Sequence, residues 1–135
     1  MKQRLFYILL SAAALFLGLL LYLWLREGTY LHMLFGFSPE SSYSGGSCSD
    51  FVRYSLPDFL WAFGLCCALH AVVLPNGRRS VPVSLFSALV GCTWELLQLA
   101  GTVGGTFDPL DCLMYLAAAF AVTMITIINE RGRKK

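Results

Sequence analysis

The 135-residue chain is 57% hydrophobic and 13% charged, with a mean hydropathy of +0.65. A water-soluble globule needs more polar surface than this composition supplies, and the length leaves room for one domain, residues 1–135. The net charge of +2 gives no reason to invoke nucleic acid.

A hydrocarbon core of about 30 Å asks for about 20 apolar residues of helix. In chain order, the first window that qualifies is Leu5 to Leu25, with no charge. Its start, Lys2 and Arg4, and its small run, Ser11 to Ala14, resemble a signal peptide. Apolar sequence continues well past that run, however, which suits a retained span. An outer connection, residues 26–55, follows. Thr29 to Phe37 is aromatic and amphiphilic, as expected of a segment at the headgroup level that includes His32. Ser38 to Asp50 reads as a Ser/Gly-rich loop.

The second span is expected over 56–74, opening with Ser55-Leu-Pro-Asp58 and carrying only Asp58 and His70 as polar titratable groups. Pro75-Asn-Gly-Arg-Arg-Ser80 reads as a tight turn. The third span, 81–100, has Glu95 as its sole charge. A glycine-bearing turn then leads to the fourth, 110–128, which contains Asp111. The expected architecture is an all-α, integral membrane four-helix bundle.

Short cytoplasmic loops collect Lys and Arg. Lys2, Arg4, Arg78, Arg79, Arg131, Arg133, Lys134 and Lys135 fall on one side of the four-span arrangement, against Arg26 and Arg53 on the other. Both termini are therefore expected to be cytoplasmic. Cys66, Cys67 and Cys92 lie within spans as small apolar residues. Cys48 and Cys112 fall on the outer side, as free thiols or as a disulfide in an oxidising compartment. No metal-ligand spacing is visible and no cofactor is expected.

Small residues mark the faces that pack. Ser11, Ala14, Gly18 and Tyr22 form a helical stripe in span one, and Ser84, Ala88, Gly91, Glu95 and Gln98 form one in span three. The second stripe turns Glu95 and Gln98 into the bundle. A carboxylate well inside a bilayer costs on the order of 2–3 kcal/mol and requires a partner. Arg53, on the same side, is the expected one, either as a structural clasp or as part of a site. Ser55-x-x-Asp58 and Asp108-x-x-Asp111 have capping-box spacing, with Pro57 and Pro109 in the first turn. Capping is a sufficient reading of either aspartate alone. His70, toward the cytoplasmic end of span two, reads as a packing residue.

Topology nonetheless brings Arg53, Asp58, Glu95, Gln98, Asp108 and Asp111 to one side of the membrane, as one outward-opening polar pocket. Glu95-x-x-Gln98 followed by Asp108-x-x-Asp111, with Arg53-Tyr-Ser-Leu-Pro-Asp-Phe-Leu-Trp61 before them, resembles the VanZ-like family over roughly residues 50–125. The chain carries Gly104-Gly-Thr106 where members often have an arginine, and Tyr115 where they commonly have an asparagine. The resemblance implies a small cell-envelope membrane protein, in a family whose best-known member is associated with low-level resistance to teicoplanin.

The resulting expectation is a non-catalytic pocket for a lipid-linked or polar envelope ligand. Arg53 would meet an anionic head group, and Glu95 and Gln98 would orient it. Asp108 and Asp111 would shape the mouth. Membrane lipids, an envelope precursor or a glycopeptide are the expected partners, and homo-oligomerisation is left open. The rival readings are an intramembrane acid–base enzyme acting on lipid and a structural or accessory subunit.

Overall fold

The structure, a computed structural model, describes residues 2–25, 36, 47–74 and 76–132. The aromatic segment with His32 and most of the Ser/Gly-rich connection lie outside the described residues. Four helices follow one another, all long and apolar enough to cross a membrane: α1 (Lys2–Leu25), α2 (Ser47–Val73), α3 (Gly77–Leu99) and α4 (Pro109–Gly132). They run up and down, so that Lys2 and Gly132 share one end of the bundle and the α3–α4 turn marks the far end. α2 packs against each of the others, and α1 packs mainly along α2.

The distribution of side chains is the reverse of a soluble protein's. Buried positions include Ser11, Ser55, His70, Ser80, Ser84, Ser87, Thr123 and Thr126. Phe16, Val72, Leu89 and Phe120 are instead 62–75% exposed. In water this outer surface would be a large unburied apolar area. Hydrocarbon solvates it, and the helices then associate through close packing and hydrogen bonds rather than through the hydrophobic effect.

Both mechanisms are present. Ser11, Ala14 and Gly18 of the α1 stripe are buried as the spacing predicts, Tyr22 is partly exposed, and the Ser11 hydroxyl donates to the Gly64 carbonyl at 2.8 Å. A Cβ on Gly64 would come within 2.7 Å of Leu15 Cγ, so its absence sets the close approach of α1 to α2. In the half nearer the termini, all four helices share a polar core. The Tyr7 hydroxyl bonds Thr126 Oγ1 at 2.8 Å. His70 Nδ1 meets the Cys66 carbonyl at 2.9 Å, and Nε2 faces Ser84 Oγ at 3.5 Å. Thr123 in turn donates to Ser84 at 2.8 Å. His70 is thus a satisfied packing residue.

Two boundaries differ from the sequence reading. α2 begins at Ser47, well before residue 56, which places Ser55 and Pro57 inside the helix. The outer connection is shorter than 26–55, and Ser55 is not an N-cap. Proline lacks the N–H that would bond the carbonyl four residues earlier, but a membrane helix tolerates this when neighbours pack around it. Pro57 is buried, its carbonyl in the α1 contact beside Gly18. At the other end, Asn76 caps α3, accepting from the Arg79 N–H at 3.2 Å, and Gly77 is the first helical residue. The Asn-Gly pair therefore starts a helix instead of forming the centre of a turn.

Cys112 is a free thiol beside Cys92, across the α3–α4 contact. A short bifunctional thiol reagent should join Cys92 to Cys112, detected as a linked peptide by mass spectrometry. A link from Cys112 to Cys66, in the opposite half of the bundle, would contradict the helix pairing.

Candidate functional site

The site is assembled at the far end, where α3 stops and α4 starts. After Leu99 the chain turns through Ala100, and Gly101 takes φ +69°, a left-handed conformation that glycine adopts without a Cβ penalty. The Gly101 N–H bonds the Gln98 carbonyl at 2.9 Å, and the Thr102 N–H bonds that of Leu97 at 3.0 Å. This paired closure is a Schellman motif, which satisfies the last carbonyls of α3. It also sends residues 102–108 back over the helix end rather than away from it.

Glu95 lies one turn below this closure and is 2% exposed. The Tyr115 hydroxyl donates to its Oε1 at 3.2 Å. The backbone N–H of Asp108 donates to Oε2 at 3.2 Å. Gln98, with its amide oriented to suit its neighbours, donates to Oε2 at 3.2 Å and to the Thr106 carbonyl at 3.0 Å. Its oxygen accepts from Trp94 Nε1 at 3.1 Å. The carboxylate thus ties α3 to α4 and to the turn between them through uncharged donors. The clasp expected from Arg53 is replaced by these contacts.

Two glycines make the arrangement fit. A Cβ on Gly91 would come 2.5 Å from the Tyr115 ring, so the gap one turn before Glu95 admits the phenol. Gly105 has φ +129°, and a Cβ there would come 2.5 Å from Gln98 Nε2.

Asp108 is the N-cap of α4, its Oδ1 accepting from the Leu110 N–H at 2.8 Å. In a capping box the N-cap N–H would go to the acid at N3, here Asp111. It goes to Glu95 instead. The carboxylates of Asp58, Glu95 and Asp111 all lie near enough to the Tyr115 phenol to act on it electrostatically. Acids from α2, α3 and α4 therefore converge on a single phenol. Asp58 and Asp111 are half-buried, Asp108 is exposed and only Glu95 is sealed off.

Of the six residues expected at one pocket, Glu95, Gln98 and Asp108 are joined by hydrogen bonds, and Asp58 and Asp111 lie near enough to the Tyr115 phenol to act on it. Arg53 makes none of the contacts to Glu95. Five residues of helix rotate it roughly 140° from Asp58, and its guanidinium lies 5.6 Å from the centroid of the Tyr54 ring. The sequence reading named Tyr115 only as a departure from the family pattern, not as a site residue. Its signal was available: it lies one turn after Asp111, on the same face of the helix. Among the described residues, no three His, Cys, Asp or Glu side chains gather so as to hold a metal ion. His70 is in the other half of the bundle, roughly 16 Å along α3 from Glu95 by the rise per residue from Ser84.

Gly105→Ala should destabilise the protein by about 1–3 kcal/mol, through backbone strain and displacement of Gln98. Gly104→Ala, where a Cβ meets nothing within 4 Å, should be near neutral. Reversible unfolding in mixed micelles measures both, and equal effects would contradict the turn geometry. Comparison of the chain with family models, with curated proteins and with solved structures finds no match.

Proposed function

We propose that the chain is a multi-pass protein of the bacterial cell membrane. It is VanZ-like and non-catalytic, and its far-end acidic cluster faces outward to bind the polar head of a membrane-borne envelope ligand. The Lys and Arg bias toward the end that bears both termini supports this orientation. The observation that carries the reading is the convergence of Asp58, Glu95 and Asp111 on the Tyr115 hydroxyl. Intramembrane carboxylates are costly, and they are retained where a polar partner meets them.

The half-buried carboxylates of Asp58 and Asp111 favour a head group that donates hydrogen bonds, such as an ammonium, over the anionic head expected from the sequence. Asp58 and Asp111 are accessible enough to touch such a group. Glu95 is buried and acts as a positioning residue, holding Tyr115, the α4 cap and Gln98 in register. The Cys92 and Cys112 thiols lie away from His70, whose thiol neighbour is Cys66 at 3.8 Å in the other half of the bundle.

The motif likeness extends the proposal to glycopeptide tolerance. Teicoplanin sensitivity of cells expressing the chain, compared with cells expressing Asp58→Asn/Asp111→Asn, tests both parts. The expected outcome is reduced sensitivity with the wild type and its loss in the double variant at equal membrane abundance. Equal phenotypes would refute the tolerance role. Equal retention of an ethanolamine lipid and a glycerol-headed lipid by purified wild type would refute the acidic head-group site itself.

A further inference from the structure

α3 and α4 each bring one cysteine to their shared contact, Cys92 and Cys112. Contacts along the two helices fix their antiparallel register: Thr123 donates to Ser84, the Tyr115 ring fills the gap at Gly91, and the Asp108 N–H meets Glu95. Between the last two of these, the register sets Cys92 opposite the first turns of α4. Packing agrees. Cys92 lies against a cluster that includes Ala88, Tyr115, Ala118 and Ala119, and such small residues let helix backbones approach closely. The Cys92 thiol is a hydrogen-bonding neighbour of the Cys112 thiol.

The other described thiols are placed differently. Cys66 and Cys67 are adjacent on α2 and fully buried, as small apolar residues can be. Cys92 and Cys112 are each only partly buried, and Cys112 lies in the first turn of α4, roughly 5 Å from its start by helical rise. A disulfide asks for Cα atoms within roughly 7 Å, a separation that a helix contact lined by alanine and glycine permits. The structure holds the pair as free thiols, the reduced form.

We propose that Cys92 and Cys112 form an intramolecular disulfide, made by exchange with the disulfide of a thiol oxidoreductase on the outer side of the membrane. This rests on the outward orientation proposed above, which puts the pair in an oxidising compartment. One thiolate attacks a sulfur of the oxidant's disulfide, and the second thiol displaces the oxidant from the mixed disulfide. Two S–H bonds and the oxidant's S–S bond break, one S–S bond forms between α3 and α4, and the two electrons and two protons leave as the oxidant's pair of thiols. The Glu95 and Asp111 carboxylates beside Cys112 repel a small anionic disulfide, which favours a protein as the oxidant. The link joins the helices less than one turn before Glu95, and so clamps covalently the same contact that the carboxylate anchors.

The test uses bacterial cells expressing the full chain, quenched in acid and alkylated under denaturing conditions before and after reduction. Peptide mass spectrometry should find Cys92 linked to Cys112 in most chains, with the link lost on reduction and with Cys66 and Cys67 alkylated beforehand. In Cys112→Ser, Cys92 should be alkylated without reduction. Cys92 and Cys112 both free in the wild type, or Cys112 joined to Cys48 instead, would overturn the proposal. Failure of the outward reading shows separately. Gly104→Cys, at an open position in the α3–α4 turn, should be labelled by a membrane-impermeant maleimide in intact spheroplasts, and protection there until lysis would overturn the orientation itself.

Discussion

Everything at the far end of this bundle depends on how one buried carboxylate is held. Glu95 accepts from the Tyr115 hydroxyl, from the Asp108 N–H and from Gln98, so a helix, the turn after it and the next helix share a single anchor. Each donor is uncharged, and each reaches the oxygen only because something nearby makes room: Gly91 for the phenol, Gly105 for the amide, the Schellman closure for the returning chain. The arrangement converts a costly intramembrane acid into the element that fixes the α3–α4 geometry. It also explains why the Asp108 N–H goes to Glu95 and not to Asp111 as in a capping box.

The two halves of the bundle solve the same problem differently. Near the termini, the polar side chains are small or neutral, and His70, Ser84, Thr123, Tyr7 and Thr126 satisfy one another in pairs across all four helices. That network needs no ligand to complete it. Toward the far end, charge accumulates on α2, α3 and α4 around one hydroxyl.

Much of the fold was legible because bilayer physics leaves so few options. Four apolar windows gave four helices, and the α3 stripe correctly turned Glu95 and Gln98 inward, since a 3.6-residue period fixes which side chains share a face. Asp108 was readable as a cap for the same local reason. The start of α2 was not: Ser55-Leu-Pro-Asp58 has the look of a first turn, but the helix begins at Ser47 and holds Pro57 inside it. The Arg53 clasp on Glu95 was not legible either, because the donors that replace it come from the turn and from α4. Tyr115 was read only as a departure from the family pattern, because an aromatic residue in an apolar span blends with its surroundings, although it lies one turn after Asp111 and faces the gap at Gly91.

The most direct test of how Glu95 is held is its own carboxyl signal. With side-chain carboxyl ¹³C-labelled glutamate incorporated and the protein in lipid bilayers, the Glu95 resonance is the one that disappears in Glu95→Gln. It should move clearly in Tyr115→Phe and stay in place in Arg53→Met. A resonance that ignores the loss of the phenol and responds to the loss of the guanidinium would contradict the anchor described here.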